Sequence, residues 1–332
     1  MPGGCWRLAL ACIPVRPSQI PPRRLAPPSA ARRAAACGWQ RCAQHDARDI
    51  ARRAPAAHNH VVPIDAFSFS RLTTFEQCAR RYRYRYLDSV REAFQSIEAF
   101  MGQQVHACVE WLYQERMAGN APRVDAAVER YCRQFDRELS GHRPAVKVVR
   151  RDGAIEHYRR SGAEMLADFH RQRFAPDPLE TVATERHFVL DLAEGLQFQG
   201  FIDRVARDAR GTLHLIDFKT GSRVPERFEG KDADQLDAYA LAMFSESPQL
   251  DEIVLMLEYL RTARAHIKRI RRADAAAIRQ RLAARIAVAR TATVFPPAPG
   301  ALCDWCGFND LCEAYAPGAP RRAYAAAAAR PA

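Results

Sequence analysis

Residues 197–221, QFQGFIDRVARDARGTLHLIDFKTG, read as two strands joined by a turn. Apolar and polar residues alternate from Gln197 to Arg207 and again from Thr212 to Phe218, the period of a half-buried strand, and Gly211 marks the turn between them. A similar stretch, Thr181 to Leu190, comes just before, so three consecutive strands are expected. Asp217 and Lys219 project to one face, because alternate side chains along a strand do so. If the two strands close as a hairpin, Asp203 stands beside Asp217.

Helical patterns surround these strands. Downstream, a helix from about Asp232 to Phe244 carries Gln235 and Tyr239 four apart on one face, followed by a strand from Glu252 to Leu260 and a long helix from Ala273 to Ala292. Upstream, Phe67-Ser68-Phe69-Ser70 opens a helix with Phe75, Cys78, Tyr82 and Tyr86 on neighbouring turns, Ser serving as cap. Three more helices follow, from Ile97 to Met117, Val124 to Leu139 and Ile155 to Phe174, before Pro176 and Pro178 end the helical region. Helices, three strands, helix and strand make an α/β order around a central mixed sheet.

Paired carboxylates at one sheet edge suit a hard divalent cation such as Mg2+ or Mn2+, which takes oxygen ligands. Such a cation polarises a phosphodiester and acidifies bound water, while Lys219 would position that water or offset developing charge. Asp217 and Lys219 also suit a plain ion pair on an edge strand. His106 and Glu110 share a helical face in Gly102-Gln103-Gln104-Val105-His106-Ala107-Cys108-Val109-Glu110, where a histidine is either a ligand or an ordinary polar residue.

The net charge of +12 is concentrated at the start of the chain. Residues 1–60 hold ten Arg, no Lys and two Asp, a net of +8, and leave only +4 for the other 272. Nucleic-acid binding must therefore be argued from a site rather than from general basicity. Residues 1–60, rich in Ala, Arg and Pro, read as a disordered basic arm resembling a transit peptide, or as the product of a mis-assigned start with translation beginning near Val61 or Val62. No apolar run reaches the roughly 20 residues of a membrane span, which points to a soluble, cytoplasmic protein. Cys303, Cys306 and Cys312 form a C-x2-C-x5-C group suited to one metal centre, whereas Cys108 and Cys132 read as packing residues.

The order G-x3-H-x3-E, a strand bearing Glu185, G-F-I-D-R, L-I-D-F-K-T-G and Q-x3-Y resembles the RecB-like branch of the PD-(D/E)XK nucleases across residues 67–315. The resemblance implies a restriction-endonuclease-like core with a helical N-terminal insertion, occupying residues 61–332. It implies His106, Asp203 and Asp217 as ligands of Mg2+ or Mn2+, Lys219 as the catalytic lysine, Gln235 and Tyr239 as a supporting motif, and Glu185 as a further acid. Ile202 stands where the family label has Pro, and the second acid is Asp, both usual in this branch. Members such as the AddB nuclease domain and CRISPR adaptation nucleases hold a 4Fe-4S cluster with one Cys before the core and three after. Cys78 and the trio within residues 300–316 match that arrangement, stapling the domain, with tetrahedral zinc as the other use of four thiolates.

The implied activity is metal-assisted cleavage of DNA, at single-stranded ends, in repair or recombination. Two other readings are a non-catalytic iron-sulfur DNA-binding module of a larger complex and a CRISPR adaptation nuclease. The chain carries no G-x4-G-K-[ST] phosphate loop, so unwinding would fall to a helicase partner. Tyr82, Tyr84 and Tyr86, interleaved with Arg80, Arg81, Arg83 and Arg85, either stack bases and neutralise phosphates or form an amphipathic helix packed on the sheet.

Overall fold

Strong period-two segments and long amphipathic helices resolve into a mixed sheet between two helical layers. The computed structural model describes residues 66–150, 154–222, 224–226 and 230–315. The basic arm and the alternative start therefore lie outside the described residues.

In chain order the elements are β1 (Phe67–Ser68), α1 (Phe69–Gln77), α2 (Ala79–Tyr82), β2 (Phe94–Ser96), α3 (Ile97–Met117), α4 (Val124–Gly141), β3 (Ala145–Lys147) and α5 (Ile155–Phe169). Then come β4 (Glu180–Ala193), β5 (Leu196–Arg207), β6 (Leu213–Lys219), α6 (Gly230–Glu246), β7 (Glu252–Tyr259), β8 (Arg264–Arg271) and α7 (Ala275–Thr291). Strands β4, β5 and β6 form an antiparallel meander, β7 lies parallel to β6, and β8 runs antiparallel to β7. The short β1 pairs parallel with β5 at Phe67–Phe198, beyond the point where β6 leaves it. This is the expected α/β fold, a mixed central sheet flanked by helices.

Each sheet face has its own core. Leu215, Ile253, Leu255 and Ile202 pack under Leu236, Met243, Ile278 and Leu282 of α6 and α7. Ile216, Phe218, Ala206 and Met256 pack under Phe100, Leu112, Phe135 and Leu166 of α3, α4 and α5. A fully buried apolar side chain contributes roughly 1.5–3 kcal/mol, so these layers fix the positions of the polar groups between them.

One expected element is corrected and one strand is added. The first helix is not continuous through Cys78, which adopts an extended φ of −162° and ψ of 106° between α1 and α2. Its amide still donates to Thr74 O and its carbonyl accepts from Tyr82 N, each at 3.0 Å, so Cys78 caps both helices while its extended backbone redirects the chain between them. Sequence patterning also gives no strand over Arg264–Arg271. This edge strand is highly charged, with Ile270 its one fully buried residue, and such charge shields an edge from foreign strands.

A second irregularity lies within β5. Ile202 faces the α6 and α7 layer, whereas Arg204 packs over Tyr113 of α3, 3.8 Å from the ring centroid, and Ala206 joins that same opposite layer. The regular alternation is thus broken at Asp203. Across the ladder, between the Thr184–Arg204 and Arg186–Ile202 pairs, Glu185 has a left-handed φ of 44°. For a residue other than glycine that conformation costs on the order of 1 kcal/mol.

Candidate active site

The break in β5 brings Asp203 against the end of β6. Paired rungs between these strands run as far as Arg204 and Ile216, and beyond them Asp203 Oδ2 accepts the Phe218 amide at 2.8 Å. Asp217 and Lys219 share one face of β6, as alternation requires, and Lys219 Nζ lies 2.6 Å from Asp217 Oδ2. That contact is ionic: Oδ2 is buried and has no well-directed hydrogen bond.

Helix α6 covers this face with a chain of contacts. Lys219 Nζ donates to Gln235 Oε1 at 3.0 Å, Gln235 Nε2 donates to the Tyr239 hydroxyl at 2.5 Å, and that hydroxyl donates to Asp217 Oδ1 at 3.4 Å. The i, i+4 spacing of Gln235 and Tyr239 is what lets both reach one strand end. Asp232, in the first turn of α6, stands 3.7 Å from Lys219 Nζ. Sequence reading missed Asp232, whose only signal is an acid placed favourably at a helix start.

From the other side, α3 presents His106, whose Nδ1 is 3.5 Å from Asp203 Oδ2. Close approach of α3 requires Gly102, because a Cβ there would come within 2.9 Å of Thr220 Oγ1. His106, Glu110, Glu185 and Asp203 line one cavity of about 540 Å³. Asp217, only 2% exposed, is buried. Every residue expected at the site is therefore near it.

Burial and crowding of like charges set the electrostatics. Burial, then repulsion from Asp217, holds the Asp203 carboxyl well above the usual range, against the Phe218 amide. Glu185 is pushed up to about 7 by burial and then by Glu110 and Asp217. Burial lowers the His106 pKa against the pull of Asp217, leaving a neutral ring with a lone pair to offer. Burial opposes the charge on Lys219, but Asp217 and Asp232 outweigh it and raise its pKa.

Among the described residues no three His, Cys, Asp or Glu side chains are already drawn to metal-ligand distances. The donor set nevertheless fits a divalent cation. It offers carboxylates whose mutual repulsion a cation would relieve, an imidazole held neutral, and a buried carboxylate oxygen met only by an ammonium.

A second convergence lies elsewhere in the fold. Cys78, Cys303, Cys306 and Cys312 line one cavity, and all are free thiols. Gly300 N donates to Cys303 Sγ at 3.3 Å, and burial pushes the Cys306 thiol up. Arg80 and Arg81 also line the cavity. The donors therefore fit a thiolate-bound centre. Arg80 Nε reaches Phe295 O at 2.9 Å, Tyr84 Oη donates to Leu311 O at 3.0 Å, and Ala93 N donates to Gly307 O at 2.8 Å.

These contacts favour internal packing for Tyr82 and Tyr84 of the Tyr and Arg run. Tyr82 is 2% exposed and packs on Phe75 and Phe295, and Tyr84 packs on Phe308. Arg80 pairs with Glu313, Arg81 and Arg85 with Glu92, and Arg83 with Asp88. The Tyr82 ring is thereby buried, while Arg83 stays half exposed in its pair with Asp88.

A family model, that of the PD-(D/E)XK nuclease superfamily, matches residues 66–313. No curated protein is a significant match. Among solved structures, a protein from Eubacterium rectale provisionally described as an exonuclease is 12% identical, with 73% of this chain and 89% of that one covered and a TM-score of 0.45. The structure of the protein SSO0001 is 15% identical, with 83% and 96% covered and a TM-score of 0.35.

Proposed function

The chain belongs to the PD-(D/E)XK nuclease superfamily, and from that premise we propose a metal-dependent DNA nuclease of the RecB-like branch, acting on single-stranded ends in cytoplasmic repair or recombination. The observation that carries the reading is the meeting of Asp203, Asp217 and Lys219, with Asp203 bonded to Phe218 N and Lys219 against Asp217.

In this proposal His106, Asp203 and Asp217 hold Mg2+ or Mn2+, with Glu185 as a further acid at the cavity wall. The ion, when bound, supplies Lewis acidity and a more acidic water. Lys219 holds the attacking water or the charge developing on phosphate oxygen. Gln235 keeps the Lys219 ammonium aimed at the strand end, and Tyr239 fixes the rotamer of Asp217. His106 contributes its neutral nitrogen from α3, at the wall of the cavity that Asp203 also lines.

We assign the four-cysteine cavity to a 4Fe-4S cluster with a structural role, held by Cys78, Cys303, Cys306 and Cys312. The wide sequence separation of the first thiol from the other three favours it over zinc. A helicase partner would supply single-stranded ends.

The test is degradation of end-labelled single- and double-stranded DNA by anaerobically purified protein with Mg2+ or Mn2+, beside Asp217→Ala. Cleavage abolished by the substitution supports the assignment. Cleavage that persists moves the centre elsewhere, and folded, cluster-loaded protein inactive in both forms favours a DNA-binding module.

A further inference from the structure

The cavity above Asp203 continues past Thr220 into a second hollow of about 520 Å³, with Glu98 and Thr220 shared by both walls. The chemistry of the wall changes along this path. At the near end stand the carboxylates already described. At the far end stand Arg150, His157, Ser161, Ser222 and Arg261.

Four separate segments build that far end. Arg150 precedes α5, and His157 and Ser161 lie on its first two turns. Ser222 follows β6 by three residues, and Arg261 sits in the turn between β7 and β8. Lys219 O accepts the Leu260 amide at 2.9 Å, so the turn bearing Arg261 is anchored to the strand end that carries the lysine. Arg261 Nη1 donates to Ser161 Oγ at 2.9 Å, which directs the guanidinium across the hollow. Glu98, the carboxylate on this wall, accepts the Tyr158 hydroxyl at Oε1 at 3.1 Å, and its buried Oε2 has no hydrogen-bond partner among the described residues. Among the described residues no carboxylate pairs with Arg150 or Arg261. Two guanidinium groups that pair with no carboxylate among the described residues, together with hydroxyl groups in a concavity, suit an anion with several oxygens.

We propose that this hollow is a phosphate subsite for the substrate strand, in which Arg150 and Arg261 hold the phosphodiester next to the one being cleaved. The proposal rests on the nuclease reading and adds the side from which the strand is gripped. Neither arginine reaches the reacting atoms, so both contribute to binding and register.

The experiment measures binding of a fluorescent single-stranded oligonucleotide by anisotropy at several salt concentrations, in EDTA and in an Asp217→Ala background, so that no cleavage is needed. Each single-strand phosphate contact contributes about 0.7 to the slope of log affinity against log salt. Arg150→Ala with Arg261→Ala should therefore weaken binding for all sequences alike and flatten the slope by about 1.4. Arg261→Lys should retain the slope. In protein with Asp217 intact, hydrolysis of bis(p-nitrophenyl) phosphate, too small to span both hollows, should be unchanged by the double substitution. An unchanged salt slope overturns the subsite, as does loss of the small-substrate reaction in step with DNA affinity. If unsubstituted protein cleaves neither substrate the nuclease reading fails, while the anisotropy still decides whether the arginines bind phosphate.

Discussion

Asp203 takes the place of a backbone acceptor for Phe218, meeting its amide at 2.8 Å just past the last rung between β5 and β6. One carboxylate thus completes the ladder and is also offered to the cavity. Asp203→Asn keeps an acceptor and removes a charge that burial disfavours, so it should fold at least as stably as the parent at pH 8 while losing cleavage. Asp203→Ala orphans the amide and should cost about 1–3 kcal/mol in urea denaturation. Equal losses for both substitutions would refute the dual role.

Lys219→Ala leaves Asp217, only 2% exposed, without its cation. The expected loss is on the order of 3 kcal/mol, as for breaking a buried pair, and saturating Mn2+ should restore much of it. Turnover should fall by about 10²–10³, with DNA affinity retained. Thermal denaturation with and without Mn2+, beside single-turnover cleavage, measures both effects.

Tyr239→Phe removes the hydroxyl that links Gln235 to Asp217. Because the ring and its packing remain, stability should change little. Cleavage should drop by roughly 10–100-fold, or half-saturation by Mn2+ should weaken similarly, as when a group orienting a ligand is lost. Unaltered activity and metal dependence would reduce Tyr239 to a packing residue.

Glu185 gives the metal-free protein a distinctive pH dependence. Its folded pKa is raised from an ordinary 4.5 to about 7, so its protonated form is favoured by folding. That contribution is complete below about pH 4.5 and is lost as pH rises through 7, a loss of about 2–3 kcal/mol. Urea midpoints in EDTA should therefore decline between pH 5 and 8, and Glu185→Gln should flatten the decline. A flat profile in the parent would contradict the crowding described at this wall.

Cys306→Ser should abolish a brown chromophore and lower the melting temperature without eliminating metal affinity at the carboxylate site. Absorption spectra and iron, sulfide and zinc content check this directly. A colourless, zinc-loaded parent would replace the cluster assignment by zinc.

Long periodic segments were legible because burial imposes the period. The helix at Ile97–Met117 was placed to the residue, and the three consecutive strands were placed within three. The position of Asp217 and Lys219 on one face followed from alternation alone. What alternation could not reveal was the break at Asp203, since the reversal depends on Arg204 finding Tyr113 across the fold. Arg264–Arg271 stayed hidden because an edge strand needs only one buried anchor, Ile270, and its charge resembles a loop. The Tyr and Arg run looked like a nucleic-acid surface, although its partners Glu313, Phe295 and Phe308 lie more than 200 residues downstream.

The clasp around the cysteine cavity also sets an order of events during synthesis. Cys78 leaves the ribosome 234 residues before Cys312, and Arg80 precedes Phe295 by 215 residues and Glu313 by 233. Strands β4 to β8, with α6, emerge in one uninterrupted stretch and can condense around Asp203 and Asp217 beforehand. Asp203 and Asp217 can therefore meet on the nascent chain, with α3, α4 and α5 already available to cover the sheet, before Cys303, Cys306 and Cys312 are available to Cys78. Loop-closure entropy grows only slowly with length, so this late closure carries a modest thermodynamic cost. Its consequence is temporal: truncated translation products would hold the reactive centre without its clasp.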